Sequence, residues 1–151
     1  MPPPTDHDAV VAAVETFFSA FVSGPGARDG GRILREVMLP AAVVVRTCGG
    51  EPTASTLEEF IEPRVALLSS GALEDFRERA TDLRVDLFGD IAQVWCTYAK
   101  GWRQDDEQHD GRGLKSIQLV RTGHGWRISA VAWDDERPGL AAPTRVQPPG
   151  Q

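Results

Sequence analysis

Three side chains in this sequence could meet on one small molecule: Arg46, Tyr98 and Asp134. Their chemistries complement one another. A guanidinium holds a carboxylate or a developing oxyanion through its planar fork. A phenol donates to a hydroxyl or a carbonyl. A carboxyl group removed from water has a raised pKa and can exchange a proton near neutrality. Asp134 is therefore the candidate acid or base, Arg46 the anion holder and Tyr98 the orienting group. A second arrangement fits the same residues. Arg46 and Asp134 pair with each other, or both sit in solvent at a rim.

Strand register decides whether they meet. Gly89-Asp90 reads as a two-residue hairpin turn. Counting outward pairs Leu87 with Ala92, Val85 with Val94, Leu83 with Cys96 and Thr81 with Tyr98. Opposed residues share a face of the sheet. Leu83, Val85, Val94, Cys96 and Tyr98 are thus expected inward, and Arg84, Asp86, Gln93 and Trp95 outward. In the last strand Ile128, Ala130 and Ala132 form the apolar set, and Asp134 continues their face.

The elements that carry these residues follow from periodicity. Val10, Val14, Phe17, Phe18 and Phe21 mark one face of a first helix. Thr5 or Asp6 can cap it, and Gly24-Pro25 ends it. A short second helix is expected over residues 29–38, stopped by Pro40. Residues 41–46 read as a strand. Ser55-Thr56-Leu57-Glu58-Glu59 offers a capping box in either of two registers. A third helix follows with Leu57, Phe60, Ile61 and Leu68 as its stripe, kinked or split near Pro63. The remainder alternates as four antiparallel strands, with residues 105–113 as a polar loop.

Composition narrows the function classes. The 151 residues suit one domain. A net charge of -6 argues against nucleic acid, which demands a basic patch. No apolar run reaches the roughly 20 residues of a membrane span. The opening MPPPTDHD has no signal-peptide pattern, so a cytoplasmic protein is expected. Cys48 and Cys96 form neither a disulfide framework nor a zinc motif. The acidic stretch Asp105, Asp106, Glu107, His109 and Asp110 lacks calcium-loop spacing, and no metal site is expected. Phosphate-loop, dinucleotide and hydrolase-elbow motifs are missing, and no cofactor is implied. Residues 1–7 and the Pro-rich residues 137–151 read as tails around a body of residues 8–136.

The helix VVAAVETFFSAFVSG, the segment AAVVVRTCGGEP, the hairpin VDLFGDIAQVW and the closing strand GWRISAVAW together resemble the nuclear transport factor 2-like superfamily, which includes ketosteroid isomerases and SnoaL-like cyclases. The resemblance implies an α+β fold, with a cone-shaped curved antiparallel sheet packed against three helices (a cystatin-like roll). It implies an apolar pocket, and it turns Val44 and Arg46 inward. The isomerase's catalytic tyrosine falls at Phe17, its base at Arg46 and its oxyanion acid at Ile117. A phenyl ring cannot donate, an arginine cannot act as a base, and isoleucine does neither. Steroid-isomerase chemistry does not carry across.

The expected pocket walls are Phe17, Phe21, Phe60, Leu83, Val94, Cys96, Ile117 and Ile128, taking a small hydrophobic molecule. Two functions fit. One is a cofactor-independent isomerase, cyclase, dehydratase or hydrolase that uses Asp134 and Arg46. The other is a non-catalytic binding or protein-interaction module. Trp95 and Trp133, both read as outward, suggest a homodimer through the open sheet face.

Overall fold

The computed structural model describes residues 3–146. The proposed terminal segments extend beyond it at residues 1–2 and 147–151. The first helix, α1, spans Asp6–Ser19, and the Thr5 hydroxyl caps it by accepting from the Asp8 amide at 3.1 Å. A single 3-10 turn at Gly24–Gly26 leads into α2, Ala27–Val37. Strand β1 runs Met38–Arg46 and β2 Thr53–Thr56. Helix α3 covers Leu57–Ser69. The strands β3 (Glu74–Phe88), β4 (Ile91–Gln104), β5 (Glu107–Thr122) and β6 (Gly125–Asp135) form a meander.

The six strands make one curved, open sheet in the order β2-β1-β6-β5-β4-β3. This is the α+β architecture expected from the sequence, with one difference in pairing. β1 lies parallel to β6, so the sheet is mixed. The three helices cover its inner face, burying Val10, Val14, Phe17, Leu34, Phe60 and Ile61 against Val94, Ile117, Leu119 and Ile128. No helix among the described residues is long and apolar enough to cross a membrane.

Local departures from the sequence reading have physical causes. Pro40 does not follow α2 but sits inside β1. It falls where the β1–β6 register breaks, so its missing N–H costs the ladder nothing. Pro63 does not split α3, because Leu57, Phe60, Ile61 and Leu68 bury on both sides of it. The capping box uses Thr56 and Glu59: the Glu59 carboxylate accepts from the Thr56 amide at 2.9 Å. Residues 107–113 are strand rather than loop. Asp105 and Asp106, both at positive φ, compress the turn to two residues, and His109 stacks on Trp102 at 5.4 Å.

Two bulges reset the faces. The hairpin pairs as counted from Phe88–Ile91 to Leu83–Cys96, but an extra residue at Thr81 makes Ala80, not Thr81, the partner of Tyr98. A second break in β6 lies at Ser129, because Leu119 pairs with Ile128 while Gln118 pairs with Ala130. Everything beyond Ser129 is one step out of phase with simple alternation. Val131, Trp133 and Asp135 face inward. Ala130, Ala132 and Asp134 do not continue the Ile128 face.

Candidate functional site

Strand pairing builds two rows of side chains across the inner face. The first reads Leu83, Cys96, Lys115, Trp133 and Arg46. The second reads Ala80, Tyr98, Gly113 and Asp135. Above the first row Phe17 of α1, Phe21 just beyond it, and Phe60 and Arg64 of α3 roof a cavity of about 260 Å³. Phe76, Glu78, Lys100 and Trp102 close the side toward β3 and β4.

Only part of the expected site lies there. Arg46, Phe17, Phe21 and Phe60 line the cavity. Asp134 does not. The Ser129 bulge turns it away, and its carboxylate pairs with Arg137. Asp135 takes its place. Val94, Cys96, Ile117 and Ile128 are fully buried, and Leu83 packs against them, because the apolar face of α1 packs into the same core. They support the cavity from below and do not line it. Trp133, expected outward, lies inside with its ring 6.0 Å from that of Phe60. The sequence reading also missed Arg64, Glu78, Lys100 and Lys115. Charged residues on a mostly apolar face look like solvent positions when their partners are distant in sequence.

Asp135 is the most heavily bonded group. The Tyr98 hydroxyl donates to it, and the Lys100 ammonium lies 3.1 and 3.2 Å from its two oxygens. Both donors start on β4 and cross β5 to reach β6. They can do so because β5 has glycine under each. A Cβ at Gly113 would come within 2.2 Å of the Tyr98 hydroxyl oxygen, and one at Gly111 within 2.8 Å of Lys100 Cε. Burial alone would raise the Asp135 pKa. The Tyr98 hydrogen bond, the Lys100 charge and the Cys48 thiol outweigh it and hold the carboxyl below its ordinary value. Burial, reinforced by the bond to Asp135, raises the Tyr98 pKa and keeps the phenol protonated. The Cys96 thiol is pushed up to about 12 by burial and is inert.

A second pair is more deeply buried. Lys115 Nζ lies 2.9 Å from Glu78, with side chains only 6% and 9% exposed. The ammonium also sits 4.2 Å from the Tyr98 ring centre and 4.9 Å from that of Trp133. Arg64 lies over Phe60 at 4.5 Å and over Trp133 at 5.5 Å. Desolvation by burial lowers its pKa, and its Nε has no hydrogen-bond partner. No group of histidine, cysteine and acidic residues suited to a metal ion occurs among the described residues.

The site therefore has aromatic walls, two carboxylates engaged by Lys115 and Lys100, and four cations. Its carboxylates are paired, and Asp135 is held ionised. Asp135, held below its ordinary value, is not a carboxyl group tuned to exchange a proton near neutrality.

No protein-family model matches the sequence, and no curated protein matches it by sequence. Solved structures do match in fold. A protein of Streptomyces avermitilis, provisionally described as a dehydratase of the NTF2-like family, is 20% identical with a TM-score of 0.70, over 90% of this chain and 99% of that one. An NTF2-like protein of Cytophaga hutchinsonii is 14% identical with a TM-score of 0.67, over 88% and 100%. A nuclear transport factor 2-like superfamily protein of Salmonella enterica serovar Typhimurium is 10% identical with a TM-score of 0.68, over 89% and 94%. The chain thus has the NTF2-like fold, as the sequence resemblance implies. At these identities the likeness extends to the fold alone.

Proposed function

We propose that this chain binds a small, predominantly apolar molecule in the cavity beneath α1 and α3. The observation that carries the reading is the lining. Phe21, Phe60, Phe76, Trp102 and Trp133 face one space together with a few fixed polar groups, the usual make-up of a ligand site. At about 260 Å³ the space lies just under the roughly 300–1,000 Å³ typical of ligand pockets. The occupant is correspondingly small.

Thermal denaturation in the presence of one-ring and two-ring aromatic compounds tests this. A true ligand at a hundred times its Kd adds about 2.7 kcal/mol, worth roughly 5–10 °C in a domain of this size. Trp133→Ala should abolish the shift, and mass spectrometry should recover the ligand unchanged. A shift that survives in Trp133→Ala places binding elsewhere. A converted product replaces binding with catalysis.

The homodimer reading now rests on Trp95 without Trp133. Trp95 is 40% exposed and Val43 46% exposed, and both lie on the uncovered sheet face. We place the contact between two copies there. Trp95→Glu should turn a dimer into a monomer in size-exclusion chromatography with light scattering. A dimer indifferent to the change uses another surface.

A further inference from the structure

Charge in the cavity is unevenly matched. Arg46, Arg64, Lys100 and Lys115 line it against only two carboxylates, Glu78 and Asp135. Lys115 is taken by Glu78 at 2.9 Å and Lys100 by Asp135 at 3.1 Å. Arg46 and Arg64 remain. Among the described residues neither makes an ion pair, and the buried Arg64 Nε makes no hydrogen bond at all. Arginine cannot shed its proton to escape this situation. Arg46 is exposed and screened by water, so the cost of an unpaired charge falls on the partly buried Arg64, and an anion that reaches it recovers part of that cost.

We propose that the cavity takes the carboxylate of a small aromatic acid on Arg64, with Arg46 as the second cation. This rests on the reading of the cavity as a ligand site and adds the chemical class of the ligand.

Geometry supports the fork as the anchor. The Arg64 guanidinium lies 4.5 Å from the Phe60 ring centre and 5.5 Å from that of Trp133, and these contacts hold it beside the cavity without using its N–H groups. A carboxylate matches the guanidinium edge in a bidentate manner. The same two rings, with Phe21, supply the apolar surface for the rest of the molecule. The protein as a whole carries a net charge of -6, so the two free arginines are not part of a generally basic surface. They form a local positive site in an acidic molecule.

Two pairs of probes test the proposal on the full chain: cinnamate with cinnamamide, and phenylacetate with phenylacetamide. Each acid should bind about tenfold or more tightly than its neutral amide, as expected for hydrogen bonds to a charged group. Isothermal titration reads this directly. Arg64→Met should bring the acid down to the affinity of the amide while leaving the amide nearly unchanged. With no ligand present, that variant should melt higher than wild type, because it removes the unpaired charge. If Arg64→Met fails to fold, Arg46→Gln should still narrow the gap between acid and amide. Equal binding of acid and amide by wild type overturns the proposal and leaves the apolar pocket standing. Failure of both to bind overturns both readings. Protection by inorganic phosphate equal to that by cinnamate overturns the assignment to an aromatic acid.

Discussion

Lys115→Met is expected to lower stability by roughly 3–5 kcal/mol, the usual consequence of leaving one member of a buried ion pair alone. In a domain of this size that is about 10 °C of melting temperature. The partner left behind is Glu78, whose side chain is 9% exposed and cannot turn to water without moving β3. The ammonium's contacts with the rings of Tyr98 and Trp133 disappear as well. The cause can be separated from simple loss of packing. Replacing both members, Lys115→Met with Glu78→Leu, should recover most of the loss, since an apolar pair fills similar space without a desolvation cost. Urea denaturation of the four proteins closes the double-mutant cycle. A single variant within 1 kcal/mol of wild type, or a double variant no better than the single, rules out the pair as a structural element. Removing the pair takes away one positive and one negative charge together, so the cavity's surplus of cations stays as it was.

Gly113→Ala is expected to be nearly as damaging, for a steric reason. The new methyl would lie 2.2 Å from the Tyr98 hydroxyl oxygen and 2.5 Å from the Asp134 carbonyl oxygen. The carbonyl belongs to the paired β6 backbone and cannot yield easily. Overpacking of this kind costs typically 1–3 kcal/mol and occasionally more. The side chain that moves is Tyr98, and Asp135 then loses a hydrogen bond. This has a signature in pH. The Asp135 carboxyl is held below its ordinary value of 3.8. Its contribution is therefore complete above the unfolded pKa and is lost as pH falls through the lower folded pKa. In Gly113→Ala the folded pKa rises toward 3.8, so that contribution shrinks. The stability gap between wild type and variant should be widest near neutrality and should narrow below about pH 4. A gap that is constant with pH means that Tyr98 keeps its bond and the damage is steric alone.

Much of the architecture was legible in the sequence because its signals are local. The Val10–Val14–Phe17–Phe18 spacing, the capping box and the Gly89-Asp90 turn each depend on a few neighbouring residues; the helix face and the turn are found as expected, the box takes the Thr56–Glu59 register of the two offered, and α1 ends before Phe21. The site was only half legible. Arg46, Phe17, Phe21 and Phe60 line the cavity. Asp135 rather than Asp134 lines the cavity, and Trp133 faces inward, opposite to the simple alternation. Both departures have one source, the extra residue at Ser129. A bulge has no strong sequence signal, and a shift of one residue exchanges the two faces of everything after it. One clue was available. Gly111 and Gly113 alternate in a strand otherwise rich in side chains, a pattern that marks close approach by something from a neighbouring strand. Here that something is Lys100 and Tyr98, reaching across to Asp135. The cations Arg64 and Lys115 were illegible for another reason. Their inward direction depends on helix orientation and on a partner, Glu78, that is far away in sequence.

The position of β6 gives synthesis of this chain a definite order of events. It is the last of the described strands to be made, yet it lies between β1 and β5 in the sheet. Before it emerges, the nascent chain can hold at most two separate fragments of sheet, β1 with β2 and β3 to β5. Each fragment has an unpaired edge waiting for the same strand. Such edges invite pairing with other chains. Trp133 and Asp135 travel on β6 as well, so the event that seals the sheet also completes the cavity. A growing chain has no stage at which the sheet is finished and the cavity is not; the two arrive together.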